Sequence, residues 1–100
     1  MRKSEFIFSV TFDDNNVPEI INWSASEAKG ENSTKAIMLS FWDDQARNTL
    51  RLDFWTKQMM IEEMKLFYNQ NLLSMADAFE RATGDTQSAT AMRNLANQIV

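Results

Sequence analysis

The chain has 100 residues, a formal net charge of −4 at pH 7 and 44% hydrophobic residues, a composition typical of a folded globular protein and not of a disordered segment. It contains no Cys and no His, which excludes thiol catalysis, disulfides and the commonest general base and metal ligand. The acidic balance argues against nucleic acid and anionic lipid as partners, because both attract cationic surfaces.

The first part of the chain predicts two strands and a loop. Residues 6–12 alternate apolar and polar side chains with one exception at Ile7, so three phenylalanines should share one face of a strand. Residues 13–16 are turn formers and lead to a second strand over Glu19–Ala25, with Pro18 tolerated just before it. Residues 24–33 are polar, contain Gly30 and are expected to form a surface loop.

Two further strands follow with a clear period of two. The third is predicted over Thr34–Trp42 and the fourth over Asn48–Trp55, which is the cleanest amphipathic strand of the chain. Between them, residues 43–47 begin with acidic turn formers. This segment is therefore predicted to be a β-hairpin.

The period then changes to 3.6 residues, which predicts a long helix from about Met60 to Thr83. Its predicted apolar stripe consists of Met64, Tyr68, Asn71, Met75, Ala78 and Ala82, with Ile61, Leu72 and Phe79 beside it. Gly84 can end this helix and Asp85 can cap a second one. The stripe expected on the second helix is Ala89, Met92, Ala96 and Ile99.

These elements predict one α+β domain over residues 1–100: a four-stranded antiparallel meander, a long helix packed on one face of it, and a shorter C-terminal helix. The face expected to remain uncovered carries aromatic residues, Met and Arg among small polar groups, a mixture typical of protein interfaces. The candidate partner-binding residues are Met38, Trp42, Arg51 and Trp55. The partner could be another protein or a second copy of the chain.

Several other groups of residues are better explained by structural roles than as functional sites. Asp43, Asp44 and Asp53 could pair for acid–base work or bind Ca²⁺, but turn-forming Asp is commoner and no EF-hand spacing is present. Asp53 is expected to form a cross-strand ion pair with Arg51 or Lys35. The methionines at 59, 60, 64 and 75 are expected to fill the core. We therefore predict no catalytic, cofactor or metal residues.

The order of several short motifs resembles the gliding motility-associated protein GldC family of Bacteroidetes. The resemblance runs from about Val17 to Arg93. Its motifs are Val17-Pro18-Glu19, Asn22-Trp23-Ser24-Ala25, Phe41-Trp42-Asp43, Thr49 to Lys57, Glu63-Met64-Lys65, Ser74 to Asp77 and Glu80 to Thr83. Met60 stands where the family pattern has proline, and the first strand and last helix diverge from it.

The resemblance implies a small accessory protein beside the motility machinery, with no catalytic residue to carry over. A cytoplasmic location and no membrane insertion are expected, because no apolar run is long enough to span a bilayer and residues 1–12 lack a continuous apolar core. The alternative function is a carrier of a small apolar ligand. Its pocket would lie between sheet and long helix and be lined by Phe41, Phe54, Met64 and Tyr68.

Overall fold

The computed structural model describes residues 1–100 and divides them into two units, Met1–Met59 and Met60–Val100. The first unit contains strands β1 Phe6–Phe12, β2 Pro18–Ala25, β3 Asn32–Thr34, β4 Ala36–Asp43 and β5 Asn48–Trp55. The second contains helices α1 Ile61–Thr83 and α2 Thr86–Ile99. The α+β class and the two helices are confirmed. The single domain and the packing of the long helix on the sheet stay predictions.

The strands form two antiparallel sheets, β1-β2-β3 and β4-β5, so the prediction of one four-stranded meander is wrong in this respect. The predicted third strand is divided at Lys35, and β3 begins inside the segment expected to be a loop. Two hydrogen bonds accompany the break: the Thr34 hydroxyl donates to the Ala36 carbonyl at 3.0 Å, and the Thr56 amide donates to the Lys35 carbonyl at 2.8 Å. Pairing with β2 therefore ends at Thr34, and β4 pairs with β5 alone.

Two aspartates hold the predicted turns of the first unit. Asp13 Oδ1 accepts hydrogen bonds from the amides of Asn15 and Val17 at 2.8 and 3.0 Å, and these bonds lower the pKa of its carboxyl group, with Val17 the larger cause. Asp43 Oδ1 likewise accepts from the amides of residues 45 and 46. Side chains that bond their own backbone stabilise such turns, so both turn predictions are confirmed.

The core of the first unit is small. Ile21 is its one large side chain that is fully buried, at 1% exposure. The two sheets meet where the rings of Phe12 and Phe54 form an edge-to-face contact with centroids 5.8 Å apart. At the other end of β1, Phe6 and Phe8 are 63% and 42% exposed. Large apolar side chains thus remain open to solvent within a unit whose strands are well paired.

In the second unit, α1 and α2 pack against each other. Ala76 of α1 and Ala89 and Ala96 of α2 are fully buried, which confirms the stripe predicted for α2. Against α2, α1 buries a different face from the predicted stripe, whose Tyr68 and Met75 are 42% and 50% exposed, and the packing of that stripe on the sheet stays a prediction. Small alanines let two helix backbones approach closely, so the face of α1 that contains Ala76 is buried instead.

Polar contacts fix the ends of both helices and the contact between them. Gly84 adopts the left-handed conformation, with φ 75°, and its amide donates to the Glu80 carbonyl at 2.8 Å, which ends α1. Asp85 caps α2 by accepting from the Ser88 amide at 3.0 Å. Arg93 of α2 donates to Asp77 and Glu80 of α1 at 2.9 and 2.7 Å. Neither helix has the length and apolarity that a bilayer crossing requires.

Asn69 supplies the hydrogen bond on which the buried helix contact depends. Its Nδ2 donates to the Ala96 carbonyl at 2.7 Å, in the last turn of α2, where a helix leaves carbonyls without intrahelical donors. We expect Asn69→Ala to lower the free energy of unfolding by about 1–3 kcal/mol, because a buried carbonyl loses its partner. Urea unfolding followed by circular dichroism measures the change.

Asn71→Ala is the matched control for this substitution. Asn71 also donates through Nδ2 at 2.7 Å, but to the Phe67 carbonyl one turn earlier in its own helix. That carbonyl already accepts the helical amide bond from residue 71, so the substitution leaves no buried group unpaired. Equal losses of stability in the two variants would contradict the role given to Asn69.

The Arg93 cluster predicts a specific pH dependence of stability. Arg93 lowers the pKa of Glu80 below its ordinary value of 4.5. A depressed folded pKa stabilises the protein above the unfolded value and loses that contribution as the pH falls through the folded value. We therefore expect Arg93→Gln to reduce the acid-induced loss of stability below about pH 4.5, measured as urea midpoints across a pH series.

Arg81→Gln removes the same charge from the last turn of α1 and serves as the control. The urea midpoint of this variant is expected to fall with decreasing pH as steeply as that of the parent protein. If the urea midpoint of Arg93→Gln fell with decreasing pH as steeply as that of the parent protein, the Arg93 cluster would not be the cause of the acid-induced loss of stability.

Candidate interaction surface

The β4–β5 hairpin has two chemically different faces, and its register assigns every residue to one of them. Side chains directly opposite each other in an antiparallel pair lie on the same face. The face called here the tryptophan face consists of Ala36, Met38, Ser40, Trp42, Thr49, Arg51, Asp53 and Trp55. The face called the apolar hairpin face consists of Ile37, Leu39, Phe41, Leu50, Leu52 and Phe54, and it ends at the turn with the polar pair Asp43 and Asn48.

The tryptophan face brings together all four candidate residues predicted from the sequence. Trp42 and Trp55 are 60% and 53% exposed, whereas Met38 is half-buried. Trp42 stands opposite Thr49 and Trp55 opposite Ala36, so the two indoles lie near opposite ends of the hairpin, roughly 20 Å apart at the rise of an extended strand. Arg51 lies between them. That these residues bind a partner stays a prediction.

Arg51 is held in position on this face by its neighbours. Its Nη2 and Nε donate to the two carboxylate oxygens of Asp53 at 2.7 and 3.2 Å, and its Nη1 donates to the Ser40 hydroxyl directly across the hairpin at 2.8 Å. The expected ion pair thus exists, but it runs along one strand and not across two. A bidentate Arg–carboxylate pair fixes the plane of the guanidinium, which orients it for further contacts.

The acidic residues considered as a site are not brought together. Asp53 stands opposite Met38, five residues from Asp43 along β4, which is roughly 17 Å of extended strand. Asp43 is engaged in its turn. The structure contains no group of three or more acidic side chains that could hold a metal ion.

A groove beside Trp55 was not anticipated from the sequence. It has a volume of ≈ 290 Å³. Its lining comprises Phe12, Asn16, Val17, Pro18, Asp53, Phe54 and Trp55. The groove joins the turn after β1 to the end of β5, a contact between segments far apart in the sequence that no local pattern reveals. It places an apolar recess at one end of the tryptophan face.

A second recess, of ≈ 200 Å³, lies beside the first and is more polar. Its lining comprises Asp13, Pro18, Glu19, Thr56, Lys57 and Gln58. Lys57 approaches Asp13 with Nζ and Oδ2 3.6 Å apart. Thr56 is buried, and its hydroxyl oxygen has no hydrogen-bond partner. These polar groups border the groove and add no catalytic arrangement.

The relationship to known proteins agrees with the motif order seen in the sequence. The family model described as "Gliding motility-associated protein GldC-like" matches residues 18–100, from the start of β2 to the end of the chain. No curated protein and no solved structure matches the chain. Since the family model covers both hairpin faces and both helices, the chain belongs to the gliding motility-associated GldC-like family.

Proposed function

We propose that this protein is a non-enzymatic accessory component of gliding motility that acts by binding a protein partner through the tryptophan face. Membership of the GldC-like family associates the chain with gliding motility. The observation that carries the proposed mechanism is the exposure of Trp42 and Trp55 on either side of Arg51. A cytoplasmic location belongs to the same proposal.

The composition of the tryptophan face supports a partner that binds and dissociates. Trp and Arg are the residues most enriched among interface positions that dominate binding energy. Interfaces of this kind mix apolar anchors with polar groups, and here Ser40, Thr49 and Asp53 supply the polar part. The hairpin is also short enough for both indoles to lie under one interface of standard size, about 800 Å² on each partner.

The groove beside Trp55 suggests how one end of the tryptophan face could bind a side chain of the partner. Its volume of ≈ 290 Å³ is at the lower limit of pockets that hold whole small ligands, which start at about 300 Å³. A single apolar side chain of a partner fits such a recess better. We infer that a partner inserts one apolar side chain beside Trp55 while Arg51 meets a polar or acidic group.

The alternative function is a carrier of a small apolar ligand, whose predicted pocket is distinct from the groove beside Trp55. The size of the groove favours a side chain over a free ligand, so we rank this function second. A pocket lined by Phe41, Phe54, Met64 and Tyr68 stays a prediction.

Truncation of either tryptophan tests the proposed surface. We expect Trp42→Ala and Trp55→Ala each to weaken partner binding about thirtyfold or more, the effect of losing an anchor worth about 2 kcal/mol. A photo-crosslinking amino acid at position 49, directly opposite Trp42, identifies the partner in the living source cell. Binding of each variant to that purified partner is then measured by isothermal titration calorimetry.

Thr49→Ala is the control, because Thr49 lies directly opposite Trp42 on the same face and is also exposed. It is expected to change affinity less than threefold, since most interface positions are nearly neutral. Thermal unfolding of each variant shows whether the domain is intact. Folded tryptophan variants with undiminished affinity would refute this surface as the binding site.

A further inference from the structure

The outer edge of β4 carries main-chain groups that no strand of the chain pairs. β4 forms a sheet with β5 alone. In an antiparallel ladder, residue pairs that exchange main-chain bonds alternate with pairs that do not. The bond from the Thr56 amide to the Lys35 carbonyl sets this alternation, so the odd-numbered residues of β4 bond to β5. The amides and carbonyls of Met38, Ser40 and Trp42 therefore point away from β5, along the outer edge.

These outward groups can be paired only by a chain in the extended conformation. Outward residues follow one another at about 7 Å, the length of two residues of a strand, and a second strand repeats its own donors and acceptors at the same distance. The helices of this chain cannot supply the missing bonds, because helical amides and carbonyls are bonded within their own helix. The edge is therefore a template for an added strand.

The outer edge of β4 lacks the protection that other strand edges of this protein have. Proteins protect open edges with short strands, bulges, charged side chains or proline. β3 has only three residues, β1 has a register shift between Thr11 and Phe12, and β5 carries the charged Arg51 and Asp53. β4 has eight residues and pairs with β5 without a register shift. Its residues 36–42 include neither a charged residue nor proline.

We propose that the partner binds as an extended segment that adds a strand to the outer edge of β4. This inference rests on the proposed function and specifies the form in which the partner binds. In such strand addition, main-chain bonds supply affinity and alternate side chains supply specificity. Every second side chain of the segment would lie on the tryptophan face. Apolar side chains suit the positions beside Met38 and Trp42, and a small one suits the position beside Ser40.

Strand addition to β4 is compatible with an anchor in the groove beside Trp55. Trp55 stands opposite Ala36 on the neighbouring strand. An added strand beside Ala36 would lie two strand spacings from Trp55, which is roughly 10 Å. Partner residues beyond this end of the segment can therefore reach the groove.

Amide-resolved hydrogen exchange, measured by NMR on the full chain, tests the proposal with and without the purified partner identified by crosslinking at position 49. In the free protein, the amides of Met38, Ser40 and Trp42 are expected to exchange at least about tenfold faster than those of Leu39 and Phe41, which bond to β5. Bound partner is expected to slow the three edge amides at least about tenfold.

Two results of the exchange measurement would overturn strand addition. Edge amides that are already protected in the free protein would show that the edge is occupied, and loss of this protection on dilution would identify the occupant as a second copy. Edge amides that still exchange fast in the complex would show that the partner binds by side chains alone. The second result leaves the proposed function intact if Trp42→Ala still weakens binding.

Ser40→Pro provides an independent test, because it removes one outward amide. Proline is tolerated on an edge strand where the amide does not bond to the neighbouring strand. Ser40→Ala is the matched control, since both variants lose the hydroxyl that accepts from Arg51. We expect Ser40→Pro to bind the partner at least about tenfold more weakly than Ser40→Ala in isothermal titration calorimetry. Equal affinities of the two folded variants would overturn the proposal. If Ser40→Pro does not fold, the exchange measurement decides.

Discussion

The structure of the first unit depends on one constraint: a hairpin of two strands carries large apolar side chains on both of its faces. Cross-strand hydrogen bonds hold β4 to β5, but they do not remove Phe41, Leu50 or the two tryptophans from water. The hydrophobic effect, the main favourable term in folding and association, is therefore incompletely used within this unit. The proposed binding of a partner would bury part of the apolar surface that remains, and the chain belongs to a motility-associated family.

The two faces of the hairpin differ in their chemistry. One face has indoles at its ends and an oriented guanidinium between them, which suits the proposed partner of mixed polarity. The other face is apolar from the strand ends as far as the pair Asp43 and Asn48 at the turn. The second unit contributes differently: its alanines, Asn69 and the Arg93 cluster fix two helices in one packing arrangement.

Much of this could be predicted from local sequence periodicity, and the failures have physical causes. Alternation placed Met38, Trp42, Arg51 and Trp55 on one face because that pattern depends only on strand geometry. The break at Lys35 depends on a bond from Thr56, some twenty residues away, and no local pattern encodes it. The stripe of α1 was predicted from its larger apolar residues, whereas the close contact between the two helices buries the small side chain of Ala76. The groove beside Trp55 likewise requires contacts between distant segments.

Hydrogen–deuterium exchange of the full chain, with and without the purified partner, tests the central claim, that a partner covers the tryptophan face of the hairpin. The account predicts that amides of β4 and β5 exchange more slowly when the partner is bound, because an uncovered hairpin opens readily. Trp42→Ala should remove this protection at the same partner concentration. Hairpin amides of the parent protein that exchange at the same rate with and without the bound partner would contradict the account.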